Sequence, residues 1–370
     1  MRLFTMPLTA LPLMLLPLTA LSLTLAPPSA SAMVMEAVPE VMQKTVDGFI
    51  RPGYRHFLDN AEKLTVAMQA LCAAPSAQAQ DTAKAAFDEA VRAWSTIEIV
   101  RIGPVLDQNR FERILFYPDR KATGMKQVQG MLAKPDEKDT VVANLANKSV
   151  AMQGFGALEF VLSGSGAETL ADASGNFRCR YGAAIAGNVQ NVAADLVAAW
   201  DAPNGVADAW KHPGFDNPVY RDGKEAITAL LGILVHGTET VRDQRIETFY
   251  KGENQPMFPK QALFWRSGNT WDTVQGNLEG LKLLIAISDM GALLDPESRF
   301  VIGYLDTALD ALIAKTGELN PDIEAAVASP EQRQKLDFML TRTKDLIFRL
   351  NEEYGGSIGL GAGFSFADGD

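Results

Sequence analysis

The sequence contains little cysteine and histidine, and this scarcity limits the metal sites that it can form. Only two cysteines and three histidines occur among 370 residues. His56, His212 and His236 are far apart in the chain, and no His-Glu-x-x-His motif is present. A structural zinc site takes about four cysteine or histidine ligands, and a catalytic one about three protein ligands. The composition therefore argues against a zinc centre of either kind.

Basic runs, strand patterns and internal membrane spans are also missing. The formal net charge is −11, and an acidic surface repels the phosphates of nucleic acids and anionic lipids. Nucleic acid is therefore not expected as a partner. After the N-terminal region, no segment has eighteen consecutive apolar residues, so we expect no transmembrane span in the mature chain.

The N-terminus has the pattern of an export signal. Arg2 is the only charge in residues 1–32, an apolar run follows from Leu3 to Leu25, and residues 30–32 read Ala-Ser-Ala. A basic start, an apolar core and a small-x-small end predict a signal peptide cleaved after residue 32 and a periplasmic protein. An uncleaved membrane anchor is the alternative. Cleavage would leave 338 of the 370 residues.

The two cysteines, Cys72 and Cys179, are expected to pair. In an oxidising compartment a lone pair of cysteines most simply forms one disulfide, and two buried thiols are the alternative. Closing a loop of this length would stabilise the fold by about 4–5 kcal/mol in the chain-entropy model.

The mature sequence predicts an all-α fold of two helical-bundle domains packed side by side. Apolar residues recur at helical spacing, separated by proline and glycine breaks. A break rich in Pro, Gly and Asn at 201–218 separates residues 33–202 from residues 203–354, and a Gly-rich tail covers 355–370. Helices are predicted over 44–72, 79–100, 125–133, 137–150, 152–163, 177–200, 221–250, 270–288, 296–316 and 330–353.

Residues 154–162 are the most informative segment, because Glu159 is their only charge. Burial of an ionised carboxylate costs several kcal/mol (about 3–5) unless a partner compensates it. Glu159 is therefore expected to pair with a cation, to accept hydrogen bonds or to be protonated. It could belong to a binding site or to a structural ion pair. Gly154 and Gly156 would let another helix or a ligand approach closely.

Residues 154–159 read Gly-Phe-Gly-Ala-Leu-Glu, which is similar to the Gly-x-His-x-x-Glu motif of the imelysin family. The segments 70–75, 101–104, 117–119, 177–180 and 266–269, with the terminal residues 368–370, also resemble that family in order and spacing. The resemblance implies two helical bundles with a site where they meet, a periplasmic or surface location and an association with iron uptake. The family was first classed as metallopeptidases.

One departure from the family motif changes the expected metal chemistry. Gly156 stands where the family has histidine, so the imidazole of a His-x-x-Glu pair is missing. His236 and Glu239 spell such a pair elsewhere, and residues three apart share a helix face. The candidate metal ligands are therefore Glu159, His236 and Glu239, with iron or another metal ion as the candidate cofactor. Helix packing is the alternative role of His236.

Arginines and a hydroxyl complete the candidate ligand-binding set of Gly154, Gly156, Glu159, Arg101, Arg266 and Ser267. Arg101 could neutralise Glu159, bind an anionic group or cap its helix. The hydroxyl and free backbone amides at Ser267 favour an anion pocket, with an ordinary helix cap as the alternative.

Three functions are compatible with these residues. The first is a periplasmic binding or accessory component of iron uptake, whose partner is iron, an iron chelate, haem or a periplasmic or outer-membrane uptake protein. The second is an imelysin-type metallopeptidase, and the third is a non-catalytic protein-interaction module. No catalytic residue is predicted.

Overall fold

The structure is a computed structural model that describes residues 32–172 and 176–363. The predicted signal peptide, except for Ala32, and the tail from Phe364 to Asp370 lie outside the described residues. Within those ranges the regular structure is helical, with no strand, as the sequence predicts. Every helix in the same ranges is too short or too polar to cross a membrane.

The described residues of the first half form eight α-helices. They are α1 (Val38–Lys44), α2 (Arg51–Ala73), α3 (Ala77–Ile97), α4 (Arg110–Ile114), α5 (Thr123–Ala133), α6 (Val142–Leu145), α7 (Phe155–Ser163) and α8 (Asn176–Asp201). A π-helical segment, Thr45–Ile50, joins α1 to α2 without a break.

The second half contains six more among the described residues. They are α9 (Val206–Lys211), α10 (Gly223–Glu239), α11 (Thr270–Ser288), α12 (Phe300–Thr316), α13 (Ile323–Ala328) and α14 (Pro330–Phe348). The π-helical segments Thr240–Ile246 and Arg349–Gly355 extend α10 and α14.

Short polar side chains begin several of these helices. The hydroxyl of Ser76 accepts from the amide of Ala79 at α3, and Asp222 accepts from the amide of Glu225 at α10. Ser329 caps α14 in the same way, directly before Pro330. Each cap satisfies an amide that the first helical turn leaves free, and is worth about 1 kcal/mol.

Helix α2 packs between α3 and α8 in the first half. The predicted disulfide is confirmed, because Cys72 near the end of α2 is bonded to Cys179 at the start of α8. Phe57 and Phe87 both contact Phe155 of α7, and Phe87 also contacts Phe264 from the second half.

Helices α3 and α11 meet closely at the seam between the two halves. A Cβ at Gly280 of α11 would lie 2.2 Å from the carbonyl oxygen of Thr96, so a side chain there would clash with the α3 backbone. This close approach brings Asn277 of α11 against the end of α3. Residues of both halves thus share one interior, and the division into two bundles at 202/203 stays a prediction.

The prediction of a helix over 137–150 is wrong in its length. The structure has a 3₁₀ turn at Glu137–Thr140 and then the four-residue helix α6. The carboxylate of Asp136 binds the amide of Lys138, and the side-chain amide of Asn144 donates to the carbonyl of Lys138. These local side-chain bonds compete with helical backbone bonds.

The break at 201–218 contains an unpredicted helix, α9. Trp210 on this helix is buried, with its ring centroid 5.2 Å from that of Trp200 and 5.4 Å from that of Tyr220. Because a tryptophan side chain buries a large apolar area, Trp210 anchors the segment despite the neighbouring proline and glycines.

Candidate functional site: two cavities beside buried carboxylates

Gly154 directly precedes helix α7, and the backbone there needs a glycine. A Cβ at this position would lie 2.3 Å from the carbonyl oxygen of Ile114. Gly154 therefore allows the start of α7 to pack on the end of α4 and fixes where Glu159 lies. A direct ligand-binding role for Gly154 stays a prediction.

Glu159 is only 3% exposed and is held by the loop that precedes α11. Its Oε1 accepts from the backbone amides of Arg266 at 2.9 Å and Ser267 at 3.1 Å, and from the Ser267 hydroxyl at 3.4 Å. The guanidinium Nη1 of Arg266 lies 3.4 Å from Oε2. Sequence positions more than a hundred residues apart thus form one hydrogen-bonded cluster.

The backbone amides and the hydroxyl at Ser267, which were predicted to form an anion pocket, bind the Glu159 carboxylate of the same chain. The cation beside Glu159 is Arg266, and the suggestion that Arg101 neutralises Glu159 is not realised. Arg101 instead lies over the ring of Phe111, 4.2 Å from its centroid, and 3.7 Å from a carboxylate oxygen of Glu112. Burial lowers the pKa of Arg101.

Opposing effects act on the ionisation of Glu159. Burial raises its pKa, whereas the charge of Arg266 and the two backbone amides lower it, and the balance leaves the pKa above its ordinary value. The carboxylate is almost fully removed from water, whereas the Arg266 side chain is 22% exposed. Desolvation therefore raises the pKa of Glu159 more than the charge of Arg266 lowers it.

A cavity of about 290 Å³, here called the Glu159 cavity, opens beside this cluster. Glu159, Gly156 and Arg266 line it together with Arg120 and Lys260. A Cβ at Gly156 would meet nothing nearer than the carbonyl oxygen of Phe116 at 4.0 Å. The position of the family histidine therefore faces space that a side chain could occupy.

The residues at this motif do not fit a resident metal ion. Glu159 Oε1 already accepts from two amides and a hydroxyl, and Gly156 supplies no ligand atom. No cluster of three or more histidine, cysteine or acidic residues suited to a metal occurs within residues 32–172 and 176–363.

The other predicted metal ligands lie at a second, larger cavity of about 580 Å³. His236 Nδ1 lies 2.8 Å from Glu239 Oε2, and both residues line this cavity together with Arg101. Since Glu159 lines only the first cavity, the structure does not bring the three predicted ligands together. A metal-binding role for the His236–Glu239 pair alone stays a prediction.

A second buried carboxylate, Glu98, is not among the residues predicted from the sequence; it follows α3 and lines the second cavity. Glu98 Oε1 accepts from Arg245 Nη2 at 2.7 Å and from Asn277 Nδ2 at 2.6 Å. Residues 97–100 read Ile-Glu-Ile-Val, so the signal that identified Glu159, a lone charge among apolar residues, was present here too. We call this second cavity the Glu98 cavity.

The described chain is thus an all-α protein in which two carboxylates of the first half meet two arginines of the second half beside cavities. The imelysin family model matches residues 50–349, so the chain belongs to the imelysin family. The predicted resemblance is confirmed.

Two solved structures share this fold. An imelysin-like protein from Psychrobacter arcticus is 18% identical, with a TM-score of 0.72 over 90% of this chain and 99% of its own. A candidate iron-regulated protein A precursor from Parabacteroides distasonis is 15% identical, with a TM-score of 0.69 over 88% of this chain and 97% of its own. No curated protein matches.

Proposed function

We propose that this protein is a periplasmic binding component of iron acquisition, and that the Glu159 cavity holds a small anionic iron chelate. The observation that carries the proposal is that three basic residues line this cavity against two acidic ones, Asp119 and Glu159. The apolar N-terminal leader and the Cys72–Cys179 disulfide support an oxidising compartment outside the cytoplasm.

The carboxylates of the cavity are engaged within the chain. Asp119 accepts from the backbone amides of Thr123 and Met125, at 2.8 Å and 3.0 Å. Glu159 accepts from the loop at Arg266 and Ser267. Neither carboxylate therefore needs a cation from outside. Glu159 already engages Nη1 of Arg266, so a ligand would share that guanidinium with Glu159 and would also meet Arg120 and Lys260.

Three basic residues line the same cavity: Arg120, Lys260 and Arg266. The Arg266 guanidinium is stacked over Trp265, 4.5 Å from its ring centroid, which holds it in place. A guanidinium fixed in this way can bind a carboxylate through two nitrogens. Fe(III) prefers oxygen ligands, so its small chelates commonly carry carboxylates.

The size of the cavity favours a compact ligand. A volume of about 290 Å³ is just below the roughly 300–1,000 Å³ typical of small-molecule sites. Ferric citrate represents the proposed class. The iron-regulated character implied by the name of the Parabacteroides distasonis relative agrees with this class of cargo.

Calorimetric titration of the mature protein tests the proposal with ferric citrate, gallium citrate, free citrate, haem and Zn²⁺. We expect the metal citrates to bind, and Arg266→Gln and Lys260→Gln each to weaken that binding about tenfold or more through loss of a charge-assisted contact. Lys344→Gln, which changes an exposed lysine outside the cavity, is the matched control and should bind normally.

Failure of every iron species to bind, together with normal growth of a deletion strain under iron starvation, would remove the proposal. The metallopeptidase alternative has its own test, a chelator-sensitive protease assay. Reproducible proteolysis that Glu159→Gln abolishes would favour that alternative instead.

A further inference from the structure

The Glu98 cavity is separate from the proposed chelate site and has a different chemical character. Its volume of about 580 Å³ is typical of sites for small organic molecules. Most of its lining surface is apolar, and the wall residues include Ile99, Ile102, Phe111, Tyr220 and Ile233. Such walls favour a ligand with an apolar body, because its burial removes apolar surface from water. Selectivity beyond size and shape depends on the polar groups that a ligand can reach.

The acidic residues at this cavity are engaged by other groups of the chain. Five of them line it, and each has a partner: Glu98 with Arg245, Asp222 with the amide of Glu225, Glu225 with Arg221, Glu239 with His236, and Asp243 with Arg242. Three of these partners are arginines, which neutralise the carboxylates that they meet. A cationic ligand is therefore not required to balance the acidic residues.

Arg101 also lines the cavity, and its donors are unused. Its Cζ lies over the ring of Phe111, 4.2 Å from the centroid, and Phe111 belongs to the cavity wall. Within the described residues the guanidinium makes no hydrogen bond, since its nearest carboxylate oxygen, on Glu112, is 3.7 Å from Nη2. That separation exceeds hydrogen-bond distance. Five N–H donors are thus left without an acceptor from the described chain.

The terminal nitrogens of Arg101 can be reached by a ligand. The side chain is 29% exposed, and among the described residues Nε is its only nitrogen that is both buried and unpartnered. Nη1 and Nη2 therefore keep contact with solvent. A guanidinium that lies over an aromatic ring can still bind a planar carboxylate through two nitrogens at its edge.

Charge near Arg101 leaves room for an anion. Burial lowers the pKa of Arg101 although the charges of Glu112 and Glu98 raise it, so these two carboxylates compensate the guanidinium only in part. Lys224 in the first turn of α10 is a second basic residue of the cavity. It is exposed and forms no ion pair within the described part of the chain.

We infer that the Glu98 cavity binds a small amphipathic carboxylate, whose two oxygens accept from Nη1 and Nη2 of Arg101 while its apolar body lies against the aliphatic and aromatic walls. A carboxylate has acceptors only, and Arg101 has donors only, so the two groups match. The apolar body distinguishes this ligand from the proposed iron chelate. This site is independent of the Glu159 cavity, so either proposal can fail without the other.

Calorimetry with the full mature protein at neutral pH tests the inference, using 3-phenylpropanoate as the probe. The matched probes are 3-phenylpropan-1-ol, which keeps the body and loses the charge, and 3-phenylpropylamine, which reverses the charge. We expect the carboxylate to bind at least about tenfold more tightly than the alcohol, since hydrogen bonds between charged groups are the stronger ones. The amine should bind weakest.

Two variants test the basic residues. Arg101→Gln should weaken binding of 3-phenylpropanoate about tenfold or more and leave binding of the alcohol nearly unchanged, because only the charged contact is lost. Lys224→Gln should weaken it about threefold, as expected for an exposed charge. Arg180→Gln is the control, since this arginine is exposed, pairs with Glu137 and lies outside both cavities.

Two further variants locate the binding. Gly232→Met should abolish it, because Gly232 lines the cavity and a Cβ there makes only ordinary contacts of 3.6–3.8 Å with His236, so the longer side chain would fill the space. Gly130→Met, at an exposed helical glycine with open space around it, is the control and should bind like the unchanged protein.

Three results would overturn the inference. The first is absence of carboxylate binding, and the second is equal affinity for the carboxylate and the alcohol. The third is carboxylate binding that survives in both Arg101→Gln and Gly232→Met. If such binding were lost in Arg266→Gln, the carboxylate would lie in the Glu159 cavity instead.

Discussion

The two buried carboxylates have the same kind of partner but differ in how completely they are satisfied. Glu159 meets Arg266 and two backbone amides, and both of its oxygens have partners. Glu98 meets Arg245 and Asn277, yet all of these bonds reach one oxygen. Among the described residues, the Glu98 pair therefore leaves hydrogen-bonding capacity unused at Oε2, and the Glu159 pair does not.

The pairs also differ in their contact with water. Arg245 and Glu98 have side chains that are 2% exposed, whereas the Arg266 side chain is 22% exposed. Removing one partner of a deeply buried pair leaves a charge that water cannot reach. Replacing Arg245 should thus lower stability more than the same replacement of Arg266.

The largest expected effect comes from Arg245→Met, which keeps much of the side-chain length and removes the charge. Stability should fall by about 3–5 kcal/mol, because Glu98 is left buried without its cation. Urea denaturation measures the change. Arg342→Met, at an arginine whose side chain is 49% exposed, is the control and should change stability by about 0.5 kcal/mol or less. A loss below about 1 kcal/mol for Arg245→Met would contradict the comparison.

Arg266→Met should have a smaller effect that depends on pH. Without Arg266 the pKa of Glu159, already raised by burial, rises further. The folded variant then holds its proton at pH values where the unfolded chain has lost it, so stability is greatest in acid and falls as pH rises. We expect a loss of about 1–3 kcal/mol at about pH 8 and much less at about pH 5.

Urea denaturation across this pH range measures that dependence. The double variant Glu159→Gln/Arg266→Met has no carboxyl group at position 159 and should lose the extra slope. A slope that persists in the double variant would show that another group causes it.

The smallest effect is expected at the family histidine position. Gly156→His would place an imidazole in open space three residues before Glu159. The fold should change in stability by about 1 kcal/mol or less, and Zn²⁺ at tenfold its Kd should then stabilise the variant by about 1.4 kcal/mol. Thermal unfolding with and without zinc measures this, with Gly156→Ala as the control. Equal zinc responses would show that Glu159 stays committed to Arg266.

Helices with a clear apolar period could be predicted, and those defined by tertiary anchors could not. The long pattern around α2 and the one around α8 carry enough apolar residues to define their buried faces. The short helix α9 forms because Trp210 packs on Trp200, a contact that no local pattern encodes. Local side-chain bonds at Asp136 similarly override the expected helix over 137–150.

The sequence by itself determined that Glu159 needs compensation, because a lone charge among apolar residues cannot be buried alone. It also determined the helical class, and with only two cysteines it left one possible intramolecular disulfide. Only the tertiary structure decided that Arg266 rather than Arg101 meets Glu159, and that Glu98 has an unused oxygen. Those outcomes depend on which distant segments pack together at the seam. Close packing at residues such as Gly280 fixes the relative position of these segments to within about an ångström.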